Sequence, residues 1–128
     1  MLRFRDLRFL WHFGKARSRE ISGDYGEAIR RMNLVSPSPA FRALRDVYHA
    51  RLVALLRQDP AEGLAALASV KGRSWFIYPT TESELYAKVY CEYFEFGLKG
   101  LALERDHKKD VLLSMDVSDL YRSALRVT

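Results

Sequence analysis

Apolar positions recur along this chain at helical rather than strand spacing, and polar punctuation divides them into segments. In 39–57, Phe41, Leu44, Tyr48, Leu52 and Leu55 fall on one stripe, and in 60–70 Leu64, Leu67 and Ala68 do the same. The segment 82–105 is apolar nearly all round. Leu85, Val89, Phe96 and Leu103 share one side, Tyr86, Tyr90, Tyr93 and Phe94 lie beside them, and the charges collect in a single strip, Lys88, Glu92, Glu95 and Lys99. Such a pattern predicts a central, mostly buried helix. A final stripe, Leu113, Val117, Leu120 and Ala124 with Tyr121 alongside, predicts a helix over roughly 111–126. The four residues Trp75-Phe76-Ile77-Tyr78 have strand character but no second strand to pair with, so an extended loop tucked onto the core is expected there.

The boundaries carry helix-start chemistry. The first backbone N–H groups of a helix lack internal partners, and short polar side chains supply them. Asp24 with Glu27, Asp59-Pro60 with Glu62, and Thr81 with Glu84 each fit a capping box, while Ser38-Pro39 places a hydroxyl before a first-turn proline. The expected fold is all-α, about six helices in a single domain over 1–128. They form stacked antiparallel hairpins at 1–35, 38–70 and 82–126, with 71–81 as a loop.

The motif Gly23-Asp24-Tyr25-Gly26-Glu27-Ala28-Ile29 resembles the turn and second-helix start of a tetratricopeptide repeat (TPR). Ala28 stands at that family's small position, Met32 at a large apolar one, and Pro39 near the closing proline. Gly63 follows Ala28 by thirty-five residues, with Leu67 at the matching large position, close to the family period of about 34. The resemblance covers about residues 9–70. Trp11 is kept in the first helix, but Gly14, Lys15 and Ser18 depart from its signature. It implies a TPR-like protein-binding scaffold or adaptor. Its groove would be lined by Arg42, Arg45 and His49 from one helix and by Tyr86, Tyr90 and Tyr93 from another. Guanidinium and phenol groups suit recognition because they combine contact area with directed hydrogen bonds. The plainer expectation for the same residues is that the tyrosines are core and that Arg42 pairs with Asp46.

Composition adds little to the fold and something to the chemistry. With 128 residues, 48% of them apolar and 29% charged, the chain is globular rather than disordered. The net charge of +5 resides in residues 1–19, where Arg3, Arg5, Arg8, Lys15, Arg17 and Arg19 face Asp6 alone. Phe4, Leu7, Leu10, Trp11 and Gly14 form an apolar face there, widened by Phe9 and Phe13, and Arg5, Arg8, His12, Lys15 and Arg19 form a basic one. This first helix is expected to pack its aromatic face on the body. The alternative is a basic surface, Arg3, Arg5, Arg8, Lys15 and Arg19, that docks on nucleic acid or an anionic membrane while the rest of the domain folds without it. No apolar run is long enough to span a membrane, and the charges interrupt any secretory signal core.

Catalysis is not expected. Asp46/His49 and Glu104/His107 pair an acid with a histidine at i, i+3, and Glu92 and Glu95 complete the composition of a di-metal carboxylate site, a third reading. Isolated pairs of this kind also arise by chance, so neither metal nor cofactor is expected. Cys91, the single cysteine, lies in the most apolar segment with no local histidine to activate it. An unpaired thiol and no export signal point to the cytoplasm. The partner classes left to test are a protein or peptide, nucleic acid or an anionic membrane at 1–19, and a second copy of the chain.

Overall fold

A computed structural model describes residues 3–101 together with Tyr121, Arg122 and Leu125. The chain is all-α. The described residues form six helices, α1 Phe4–Ile21, α2 Tyr25–Asn33, α3 Pro39–Arg57, α4 Pro60–Lys71, α5 Ser74–Ile77 and α6 Glu82–Leu101. Short connections lay α1 against α2 and α3 against α4, α2 also packs on α3, and α6 closes over α3 and α4. Small residues set the close approaches. Ala28 is fully buried, and a Cβ on Gly63 would stand 3.0 Å from Leu98 Cδ1 and 3.1 Å from Ala54 Cβ, where α3, α4 and α6 meet. Gly23 takes φ of +85° in the α1–α2 turn, a backbone region that L side chains avoid.

Capping follows the sequence signals at three of four starts. The Asp24 carboxylate accepts from Glu27 N (3.2 Å), and that of Asp59 accepts from Ala61 N (2.9 Å). At α6 the box closes both ways: Glu84 N donates to Thr81 Oγ1 (3.1 Å), while Glu84 Oε1 accepts from Thr81 N (3.2 Å) and Thr80 N (3.0 Å). Ser38 differs. Its hydroxyl donates to Asp6 Oδ2 (2.7 Å) and its N–H to Asp6 Oδ1 (2.9 Å), so the carboxylate that serves the start of α3 comes from α1. Next to it, Arg5 donates to the carbonyls of Ser36 (3.1 Å) and Pro37 (2.9 Å).

Two helices are rotated relative to the expectation from their apolar patterns. In α1 the buried side is Phe9, Phe13 and Ala16 with Asp6, His12 and Glu20, while Phe4, Leu7 and Trp11 face solvent. The partners of the two acids decide this: Asp6 reaches Ser38, and Glu20 accepts from Tyr48 Oη (3.0 Å), Arg51 Nη2 (3.2 Å) and Arg17 Nη1 (2.8 Å). Burying a carboxylate is costly unless such donors are in place. Phe9 meets Phe41 at 5.7 Å and Phe13 meets Tyr48 at 5.0 Å between ring centroids, which makes α1 part of the core. In α6 the buried stripe is Ala87, Cys91, Phe94 and Leu98 with Ser83 and Glu84. The expected core residues Leu85, Val89 and Phe96 are exposed, so α6 is not a central buried helix. Its cap and the small residues Ala87 and Cys91 turn it toward α3 and α4. The charged strip is only partly solvated, since Glu95 pairs with Lys71 and with Lys99 (2.8 Å) and Lys88 lies over the Phe76 ring.

The strand-like residues after Gly72 form the single turn α5 rather than an extended loop. With no second strand among the described residues, the turn satisfies its own backbone through Tyr78 N to Ser74 O (2.8 Å). It also buries Trp75, whose indole N–H donates to Asp46 Oδ2 (2.8 Å). Of the third hairpin expected at 82–126, residues 102–120, 123, 124 and 126 lie outside the described residues. Tyr121 and Leu125 from its end pack on the core, and the Tyr121 ring stacks on Phe13 of α1 at 5.0 Å.

Candidate binding cleft

α3 is buried along almost its whole circumference, and its half-exposed residues include Arg42, Arg45, Asp46 and His49. These positions form the floor of a cleft bounded by the end of α2 and the loop after it on one side, and by α4 and α5 on the other. Two adjoining hollows of about 680 and 310 Å³ share Asn33, Arg45, Asp46 and Arg73. The larger also receives Arg8, Arg42 and Trp75, and the smaller His49.

Four arginines therefore line the larger hollow against one acid. Asp46 is already engaged, by Arg45 Nη1 at 3.2 Å and by the Trp75 indole. Arg45 is anchored further by Met32 O at 3.3 Å, an end carbonyl of α2 that has no helical partner. Arg42 donates to Glu84 Oε2 from Nε (3.1 Å) and Nη2 (2.9 Å), so it pairs with α6 rather than with Asp46 in its own helix. Arg8 and Arg73 are exposed and form no ion pair among the described residues. His49 is held below its usual range by burial and by Arg45 and Arg73, which outweigh the nearby Asp46, so it is neutral at pH 7. The cleft thus offers fixed guanidinium donors and two uncompensated cations, an arrangement suited to carboxylate or phosphate oxygens.

The structure divides the sequence-derived groove into two surfaces. Arg42 and Arg45 line the larger hollow and Arg45 and His49 the smaller, but none of Tyr86, Tyr90 and Tyr93 lines either. Tyr86 and Tyr93 are exposed on α6, and Tyr90 is half-buried beside Phe94 (6.1 Å). The cleft opens between α2 and α4 instead of along the first helices of the hairpins. Arg8, Arg73, Asp46 and Trp75 join it without any motif that marks them as cleft residues. The run Arg73-Ser74-Trp75 is the one local signal, and it is masked by the strand-like character of the residues that follow.

The basic N-terminal residues also separate. Arg3, Arg5, Arg8, Lys15 and Arg19 are all exposed, but the Arg5 guanidinium is tied to the α2–α3 loop. His12 is lowered by burial and by Arg31, Arg8 and Arg30; its neutral Nδ1 accepts from Arg31 Nη1 at 3.3 Å. Among the described residues no group of three His, Cys, Asp or Glu side chains could hold a metal ion. The Glu104/His107 pair lies outside them. Burial pushes the Cys91 thiol up to about 12, which leaves it un-ionised at neutral pH. No described helix is long and apolar enough to cross a membrane. The chain matches no protein-family model, no curated protein and no solved structure.

Proposed function

We propose that this chain is a non-catalytic, TPR-like helical-hairpin adaptor of the cytoplasm whose α2–α4 cleft takes an acidic segment of a partner protein, such as a carboxylate-rich C-terminus. The observation that carries the reading is the convergence of Arg8, Arg42, Arg45 and Arg73 on one hollow whose single acid is already engaged. Ala28 and Gly63, small residues at corresponding places in successive hairpins, support the repeat-like scaffold. The groove reading rests on the arginines and Trp75, without the tyrosines of α6.

Fluorescence polarisation with a labelled Asp/Glu-rich peptide tests it. The wild-type chain binds the acidic peptide and not a Lys-rich one, and Arg73→Glu weakens binding by roughly ten-fold or more, a charge reversal at a side chain with no structural ion pair. Equal binding of both peptides, or an Arg73→Glu variant indistinguishable from wild type, overturns the cleft assignment.

A further inference from the structure

We propose that the outward face of α1 docks on an anionic lipid surface, a property that shares only Arg8 with the cleft. Phe4, Leu7 and Trp11 follow one another at i, i+3, i+7 and are 83%, 52% and 57% exposed, an apolar strip about 10 Å long on a helix whose opposite side is core. Exposed large apolar side chains in a row mark an interaction surface rather than ordinary solvent contact.

The charge around the strip selects the occupant. Arg3, Arg8, Lys15 and Arg19 are exposed beside it, and both acids of α1, Asp6 and Glu20, are buried. Lys15 Nζ and the Arg31 guanidinium lie 5.6 and 5.3 Å from the Trp11 ring centroid, so cations hold the indole at the border of the strip. A bilayer interface matches both halves of this surface, because apolar side chains enter below the headgroups while cations stay among the phosphates. A nucleic-acid backbone would engage the cations but gives Leu7 and Phe4 no apolar counterpart. A two-fold pairing of α1 faces would bring like charges together.

The position of the two tryptophans provides the readout. Trp75 is 2% exposed, so a change in emission on binding belongs to Trp11. The full chain is mixed with phosphatidylcholine vesicles that contain either no anionic lipid or about 30% phosphatidylserine. The expected result is sedimentation and a blue-shifted, acrylamide-protected Trp11 signal with the anionic vesicles only, weakening roughly ten-fold or more from about 50 to 300 mM salt. Phe4→Ser with Leu7→Ser lowers the partition by roughly ten-fold or more with circular dichroism and melting unchanged, because both side chains are exposed, and Arg73→Glu leaves it intact. A failure of the peptide experiment with these results preserved concerns the cleft alone. No partition into anionic vesicles at low salt, or equal partition of the double variant, overturns the proposal. So does duplex or single-stranded nucleic acid binding tighter than the vesicles, or Trp11 becoming protected by self-association in their absence.

Discussion

Arg42 and Glu84, forty-two residues apart, are joined by two hydrogen bonds from one guanidinium to one carboxylate oxygen, at 3.1 and 2.9 Å. The other oxygen of Glu84 accepts from Thr80 and Thr81 at the start of α6. A single buried carboxylate therefore caps α6, sets its rotation, and fixes one cation on the floor of the cleft. Replacing it removes all three functions at once. Glu84→Ala is expected to destabilise the fold by about 2–4 kcal/mol, through the lost cap and the charge-assisted hydrogen bonds. Urea unfolding checks this, and Arg42→Ala, which spares the cap, should cost less.

The same carboxylate predicts a pH dependence. Burial raises the pKa of Glu84, but the hydrogen bonds from Thr80 and Arg42 outweigh it and hold the group below the usual carboxylate range. A folded-state pKa lower than the unfolded one contributes stability that is complete above the unfolded value, about 4.3, and is lost as pH falls through the folded value. The stability difference between wild type and Glu84→Gln should therefore be constant from about pH 6 to 8 and shrink on acidification below about pH 4. A difference that grows with acid would mean that folding raises the pKa of this carboxyl instead of lowering it.

Local signals in this chain are legible because local chemistry decides them. Asp24, Asp59 and Thr81 cap helices by contacts within three residues, and no tertiary knowledge is needed to read them. The rotations of α1 and α6 are not legible. Periodicity gives no reason to bury Asp6, Glu20 or Glu84, yet each is buried with donors that arrive from 28 to 42 residues away, joined at Glu20 by Arg17 and at Glu84 by Thr80 and Thr81. Once those acids point inward, Phe4, Leu7 and Trp11 on α1, and Leu85, Val89 and Phe96 on α6, are left outside. The cleft divides in the same way: Arg42, Arg45 and His49 share a helix and are visible from spacing, whereas Arg8 and Arg73 join them only through the fold.

Removing residues 1–19 provides a sharp test of where α1 belongs. A docking appendage could be deleted with the body intact, but α1 supplies Phe9, Phe13 and Ala16 to the core and Asp6 to the start of α3. The truncated chain should lose cooperative melting and most of its helical circular dichroism. Asp6→Ala alone should cost about 1–3 kcal/mol, since it leaves the buried Ser38 N–H and hydroxyl without their acceptor.

Gly63 predicts a steric limit. Alanine gains helix propensity at this position but presses its Cβ on Leu98 and Ala54, so the two effects oppose each other. Valine adds two methyl groups in the same space, and its propensity gain over glycine is smaller than that of alanine. Gly63→Val should destabilise by about 1–3 kcal/mol, seen as a lower melting temperature, while the same change at Gly26, where a Cβ meets nothing within 4 Å, should cost less than 1 kcal/mol.

The buried cluster around Glu20 separates a hydrogen bond from a charge. Tyr48 donates to Glu20, and burial together with that carboxylate raises the phenol well above its usual range, so it stays protonated throughout the stable pH interval. Tyr48→Phe removes one hydrogen bond while Arg51 and Arg17 still reach the carboxylate, at 3.2 and 2.8 Å, and should cost about 1 kcal/mol. Glu20→Ala instead takes the carboxylate from Arg51, a guanidinium only 1% exposed, and should cost about 3–5 kcal/mol, the penalty for breaking a buried pair from one side. Chemical denaturation of the two variants should therefore differ by more than 1 kcal/mol. Equal losses would mean that the carboxylate acts on Tyr48 alone and that the charge on Arg51 is balanced without it.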